Sequence, residues 1–221
     1  MISEEYIILK QYILSNYKKD INFENDFTLA VSLGNILYQN IKFEKNIVTN
    51  YNSPLCVKKI LEENLPQLCG GFQICYFYLL KSFNIKCNKV DMYTNKFFTD
   101  KEKSIIKKNY KKWPLCNNEY IKNQLEIQHS HAIIEFFYKD KYIIFDPTFN
   151  CLYKYKNKYI DHNELREINN NVASDKITFE YFYNENKQLK HNITKEVIEL
   201  NFFKNIYIIT KVINNMKIYN Y

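Results

Sequence analysis

One cysteine, Cys69, stands where its thiol is suited to nucleophilic chemistry. It follows the break imposed by Pro66 and precedes a long apolar run, so the pattern predicts a helix that begins at this residue. The unpartnered N–H groups and the positive dipole end of a helix N-terminus favour a thiolate. Gly70 and Gly71 remove bulk beside the sulfur, which lets a substrate carbonyl approach closely. The main-chain amide of Cys69 is then able to point at a developing oxyanion.

A thiol nucleophile needs a base, and two β-rich runs farther along the chain offer one. His131 opens the first run and Asp146 closes the second, with Lys139-Asp140 as a short polar turn that predicts an antiparallel hairpin. On that hairpin Asp146 is the diagonal neighbour of His131 on one sheet face. Its carboxylate would fix one imidazole nitrogen and leave the other to serve the thiol. His129 shares the face of His131 and is an alternative base, but it lies farther from the turn.

For the remaining cysteines and histidines we predict structural or surface positions. The cysteine spacing is irregular and includes no C-x-x-C pair, which argues against a zinc knuckle or a thioredoxin-type motif. Cys75, farther along the predicted helix, is expected in the core. No acidic cluster has calcium-loop spacing, and we expect neither a metal nor another cofactor. We also expect unreactive thiols and surface imidazoles at Cys56, Cys87, Cys116, Cys151, His162 and His191.

The elements that position these residues are helical before the site and extended after it. Apolar spacing predicts helices over residues 6–14 and 27–39. A third helix is predicted to start after Ser53, a good N-cap, with a proline at its first position. The helix of Cys69 is apolar on nearly every side, which predicts that it is buried. Residues 84–90 have the pattern of a turn that leads into a strand.

We expect one α+β domain over residues 1–221, with N-terminal helices and with the nucleophile helix packed on an antiparallel sheet. Its catalytic core spans about residues 50–150. A charged stretch at 100–112 is predicted to be a solvated helix or loop inserted between the helical half and the sheet half. Residues 151–221 are a poorly defined C-terminal extension. The candidate strands in this extension are 177–182 and 206–212.

Taken in order, these segments resemble the transglutaminase-like superfamily. The segments that carry the resemblance are Cys69-Gly70-Gly71 opening a helix, His131-Ala132 with Glu135 on a strand, and Phe145-Asp146-Pro147-Thr148 ending the next strand. The order Cys, His, Asp matches the family, and the likeness covers about residues 54–150. The resemblance implies a papain-like α+β core and acyl transfer through a thioester. In that chemistry Cys69 is the nucleophile, His131 is first base and then acid, and Asp146 orients His131.

The resemblance also implies the kind of substrate. A peptide, a protein or another amide is expected, and hydrolysis, deamidation and transfer to an amine all remain open. Candidates for the oxyanion site and the substrate cleft are Gln67, Gly70, Gly71 and Trp113. One alternative is a catalytically inactive module that binds a protein or peptide, which is favoured by Ile133 at a position where the family has an aromatic residue. A second alternative is an enzyme similar to the arylamine N-acetyltransferases.

Composition places the chain among ordinary globular proteins. Its 46% hydrophobic and 25% charged residues are typical of a packed domain. The net charge of +7 comes from scattered lysines without a nucleic-acid motif, so we expect no nucleic-acid partner. The sequence has no evident secretory leader and no apolar run of the roughly 18 residues that a membrane span needs. We therefore expect a cytoplasmic protein with free thiols and no membrane partner.

Overall fold

The computed structural model describes residues 3–43, 53–97, 128–170, 176–182 and 211–213 of the 221-residue chain. These residues form an α+β fold in which helices pack against an antiparallel sheet. The helices are α1 (Glu4–Tyr17), α2 (Asp26–Asn40), α3 (Pro54–Glu63), α4 (Cys69–Ser82) and α5 (His162–Asn170), with a 3-10 turn at Lys18–Asp20. The strands are β1 (Cys87–Phe97), β2 (Gln128–Tyr138), β3 (Lys141–Asp146), β4 (Cys151–Tyr155), β5 (Lys158–Tyr159), β6 (Ile177–Tyr181) and β7 (Lys211–Ile213).

Several predicted features lie outside the described residues. They include the cleft candidate Trp113, the thiol of Cys116, His191 and the charged stretch at 100–112. Of the candidate strand at 206–212, only the end is described, within β7. In the described part of the chain, no helix combines the length and the apolar character that crossing a bilayer requires.

Local sequence sets the helix ends near their predicted positions. At the start of α2, the side chain of Asn25 accepts from the N–H of Thr28, and the Thr28 hydroxyl accepts from the N–H of Asn25, which is a capping box. Ser53 caps α3 by accepting from the N–H of Cys56 at 3.3 Å, and Pro54 is the first helical residue. The helices predicted in the N-terminal third, and the one predicted at the candidate nucleophile, are thereby confirmed.

The sheet runs in the order β5-β4-β3-β2-β1-β7, and β6 also pairs with β4. The central hairpin of β2 and β3 turns at Lys139 and Asp140, whose φ angles of 44° and 58° are typical of a type I′ turn. Tyr138 pairs with Lys141, which confirms the predicted register. Because a one-residue slip would move every side chain to the other face, this turn decides which residues share a face with the candidate base.

The sheet has an apolar core on each face. Ile134 of β2 points toward the helices and joins a larger core with residues of α1 to α4. Ile133 of β2 and Ile144 of β3 belong to a smaller core, to which α5 contributes Leu165. Since side chains alternate along a strand, His131 leaves the backbone on the same face as Ile133.

A close approach between α2 and β3 accounts for a glycine inside α2, which otherwise weakens the helical pattern there. A Cβ atom at Gly34 would lie 2.4 Å from ring atoms of Phe145. The ring of Tyr76 in α4 lies 4.9 Å from the ring of Phe145, and its hydroxyl donates to the carbonyl of Ala30 at 2.9 Å. Because Phe145 immediately precedes Asp146, these contacts with α2 and α4 fix the strand end that carries the carboxylate.

The first part of the C-terminal extension belongs to the same sheet. β4 pairs with β3, where Cys151 lies opposite Asp146. β6 pairs with β4 and confirms the strand predicted over residues 177–182. The sequence pattern does not predict β4, which places Tyr153 next to the candidate site.

Candidate active site

Cys69 is the first residue of α4, as its sequence context predicts. Leu68 before it is extended, and the first helical hydrogen bond runs from the N–H of Phe72 to the carbonyl of Leu68 at 2.9 Å. The N–H groups of the first turn have no acceptor within the helix, and the apolar side chain of Leu68 is unable to cap them. Cys69 is a half-buried free thiol. A nucleophile, backbone donors that have no acceptor within the helix, and the positive helix end therefore meet at one point.

His131 and Asp146 form a short hydrogen bond across the hairpin. The Nε2 atom of His131 lies 2.6 Å from Oδ2 of Asp146. The histidine is 8% exposed and the aspartate is fully buried. The thiol of Cys69 interacts with the ring of His131 and raises the pKa of the imidazole. Nε2 faces the carboxylate, which leaves Nδ1 for the thiol.

The environment of His131 favours the charged imidazolium. Burial lowers the pKa of the imidazole. The charge and hydrogen bond of Asp146, together with the contact with Cys69, raise the pKa by more than burial lowers it, so the net value is about 10. The ring therefore holds its proton near neutral pH. An imidazolium beside a sulfur stabilises the thiolate form, which is the nucleophilic one.

The carboxylate of Asp146 is held by donors on both oxygens. Oδ1 accepts from the N–H of Thr148 at 3.0 Å and from the N–H of Phe149 at 3.3 Å, in the turn that follows β3. Oδ2 accepts from the hydroxyl of Tyr153 at 3.0 Å in addition to His131. Because the group is fully buried, this set of donors allows a charged carboxylate to exist away from water. Of these partners, Tyr153 comes from β4 and has no sequence signal, since tyrosine occurs throughout the chain.

Gln73 ties the nucleophile helix to the strand of the candidate base. One helical turn beyond Cys69, its Nε2 lies 3.1 Å from the carbonyl of Val90, 2.9 Å from the carbonyl of Ile133 and 3.0 Å from Oδ1 of Asp91. These contacts fix α4 against β1 and β2 at the level of the site. The sequence does hold a signal for this role, because Gln73 is a lone amide in the otherwise apolar start of α4.

The predicted oxyanion and cleft residues lie around the first turn of α4. Gln67 is fully buried, its backbone N–H donates to the carbonyl of Lys42 at 2.8 Å, and its Nε2 donates to the carbonyl of Leu65 at 3.4 Å. A Cβ atom at Gly71 would lie 2.2 Å from Oε1 of Gln67, whereas a Cβ at Gly70 would meet nothing within 4 Å among the described residues. Gln67 thus supports the helix start, and the open side of the nucleophile is at Gly70.

Alanine substitutions at Gly71 and Gly70 test whether the surroundings of the two glycines differ in this way. Gly71→Ala is expected to lower the free energy of unfolding by about 1–3 kcal/mol, because the methyl group overlaps the buried side chain of Gln67. Gly70→Ala is the matched control and is expected to change stability by less than about 0.5 kcal/mol. Urea denaturation of both variants at neutral pH is the measurement. Equal stability of the two variants would contradict the packing of Gln67 against Gly71.

A second imidazole–carboxylate pair lies farther along β2. The buried carboxylate of Glu135 accepts from Nδ2 of Asn88 at 2.7 Å, and its Oε2 lies 2.8 Å from Nδ1 of His162. The backbone N–H of His162 also donates to this oxygen at 3.3 Å. His162, which is expected on the surface, is in fact half-buried, because the residue anchors the start of α5 to β2.

The other described cysteines differ from Cys69 in their surroundings. Cys75, Cys87 and Cys151 are buried, as expected for Cys75, and burial raises the pKa of Cys87 to about 12. Cys56 is half-buried and accepts a hydrogen bond from the hydroxyl of Ser53. Within the described ranges, no group of three His, Cys, Asp or Glu side chains is arranged to hold a metal ion. The alternative base His129 lies on β2, and its side chain falls outside the description.

Comparison of the chain with protein-family profiles, with curated proteins and with solved structures gave no match. The chemistry of the site is therefore the observation that bears on function. That chemistry joins a thiol at a helix N-terminus, a buried imidazolium and a buried carboxylate.

Proposed function

We propose that this protein is a cysteine-dependent acyl-transfer enzyme with a papain-like, transglutaminase-like core. The observation that carries the proposal is one buried imidazole with two partners. His131 binds Oδ2 of Asp146 at 2.6 Å and also interacts with the thiol of Cys69, which lies at the helix N-terminus. Thioester chemistry needs a nucleophile, a base that becomes an acid, and a carboxylate that orients the base. These are the three groups that meet here, and the base contacts both of the others.

In the proposed reaction, the sulfur of Cys69 attacks the carbonyl carbon of an amide, and the carbonyl electron pair moves to the oxygen. Backbone N–H groups at the start of α4 stabilise that oxyanion. His131 gives its proton to the leaving amine as the C–N bond breaks, which leaves a thioester on Cys69. Water or an amine then attacks the thioester, His131 takes the proton of this second nucleophile, and the C–S bond breaks to release the thiolate.

The proposed substrate is a peptide, a protein or another amide, and the reaction is hydrolysis, deamidation or transfer according to the acceptor. The open space beside Gly70 supports access of a carbonyl group to the sulfur. The proposed chemistry uses only side chains and backbone groups of this chain, so it requires no cofactor. A cytoplasmic location is part of the same proposal, because the described cysteines are free thiols.

Alkylation by iodoacetamide tests the thiolate directly. At neutral pH, Cys69 is expected to react about tenfold or more faster than Cys56, because both thiols lie in the first turn of a helix but only Cys69 adjoins the imidazole of His131. Cys56 is the internal reference, since both thiols are half-buried. Peptide mass spectrometry over time gives both rates in one sample. His131→Asn is expected to remove most of the difference.

A generic acyl donor tests the second half of the proposal. Para-nitrophenyl acetate is expected to acetylate Cys69, with release of nitrophenolate, and the Cys69→Ala variant is expected to lose this reaction. A folded protein whose Cys69 reacts no faster than Cys56 with either reagent would instead favour the inactive binding module. Rapid acetylation of Cys69 by acetyl-CoA would favour the alternative that is similar to the arylamine N-acetyltransferases.

A further inference from the structure

The oxygen that orients the candidate base has a second donor. Oδ2 of Asp146 lies 2.6 Å from Nε2 of His131 and 3.0 Å from the hydroxyl of Tyr153. The other oxygen, Oδ1, is occupied by the N–H groups of Thr148 and Phe149. The imidazolium and the phenol therefore share one carboxylate oxygen. Each donor withdraws negative charge from that oxygen and leaves less of it for the other.

Tyr153 is fixed in this position by the packing of β4. It is 1% exposed, and its ring makes an edge contact with Phe179 of β6, with ring centres 4.9 Å apart and planes at 89°. Burial, together with the nearby charge of Asp146, raises the pKa of its hydroxyl, so the group stays protonated and remains a donor. In the described part of the chain, the charges of Cys151 and Tyr181 also raise the pKa of Tyr153.

We propose that Tyr153 is a positioning residue of the site that limits how tightly Asp146 holds the imidazolium of His131. The effect that this inference expects on the reaction rate rests on the proposed acyl transfer. His131 must release its proton to the leaving amine, and an acid whose proton is held too strongly is a slower donor. Tyr153 thus sets a compromise: Asp146 still orients the ring of His131, but the oxygen that does so is shared with a second donor.

The test is Tyr153→Phe, which removes the hydroxyl and keeps the ring that packs on Phe179. The pKa of His131, followed by NMR of its ring nitrogens and assigned with His131→Asn, is expected to rise by about half a unit to one unit. If Tyr153 had only a structural role, its loss would weaken the contact between Asp146 and His131. The pKa of His131 would then fall toward its ordinary value of about 6.5. An unchanged or lowered pKa would overturn the proposal.

Tyr155→Phe is the matched control, because Tyr155 lies on the same strand and packs against the same smaller core. It is expected to leave the titration of His131 unchanged. In Tyr153→Phe, the rate of Cys69 acetylation by para-nitroacetanilide, an amide whose amine leaving group takes the proton of His131, is expected to fall about threefold to tenfold at neutral pH, with the pH dependence displaced upward. If the wild-type protein is not acetylated at all, the proposed function fails, while the titration of His131 still decides the role of Tyr153.

Discussion

Replacing Asp146 by alanine is expected to lower the free energy of unfolding by about 3–5 kcal/mol. The change leaves the imidazolium of His131 buried without its counter-charge. It also removes the acceptor of the Tyr153 hydroxyl and of the N–H groups of Thr148 and Phe149. Urea denaturation at neutral pH measures the effect. Asp20→Ala, at an exposed residue, is the control and is expected to change stability by less than about 0.5 kcal/mol.

Asp146→Asn separates chemistry from stability. The two N–H donors at Oδ1 hold the amide oxygen, so the amide nitrogen is turned toward His131. Nε2 must then act as an acceptor, which leaves the ring neutral and in the wrong tautomer for the thiol. We expect acetylation of Cys69 by para-nitrophenyl acetate to slow by a factor on the order of 10²–10⁴, with a smaller stability loss than for the alanine variant. An Asn variant that is acetylated at the wild-type rate would contradict the orienting role.

The parts of the site that can be predicted from the sequence are those determined by residues close together in the chain. A two-residue turn at Lys139 and Asp140 fixes the register of the hairpin, and alternation then places His131 and Asp146 on one face. Likewise, the break at Pro66 and the apolar run after Cys69 locate the helix start within the chain segment itself. Both inferences use residues that are close together in the sequence. The one long-range assumption is that the helix packs on the hairpin.

The partners of the supporting contacts cannot be predicted because they are remote in the sequence. Gln73 is recognisable as a lone amide in α4, but its acceptor is the backbone of Ile133, 60 positions away, and a backbone acceptor leaves no mark in the sequence. The strand of Tyr153 is short, and its residues do not alternate clearly between apolar and polar, so neither the strand nor its hydroxyl contact is predictable. Glu135 belongs to the segments that suggested the family resemblance, yet its partner His162 is recognisable only once α5 docks on the sheet.

The charge state of His131 predicts how stability depends on pH. Its pKa is raised to about 10 in the folded protein, compared with about 6.5 in an unfolded chain. Between these values the native state holds a proton that the unfolded state has lost, so the free energy of unfolding falls as pH rises. The stabilisation is complete below about pH 6.5 and is lost by about pH 10, and a shift of this size corresponds to several kcal/mol.

Urea denaturation of the wild type and of His131→Asn at several pH values between about 6.5 and 9 isolates this contribution. The wild type is expected to lose stability over the range relative to the variant, since other titrating groups affect both proteins alike. His162→Asn removes the other described imidazole–carboxylate pair, whose ring is half-buried, and keeps the first; the loss of stability that depends on His131 should persist in this variant. Equal slopes in the wild type and His131→Asn would mean that the imidazole is neutral at rest. The sulfur of Cys69 would then face a neutral base, and acyl transfer would have to begin with removal of the thiol proton.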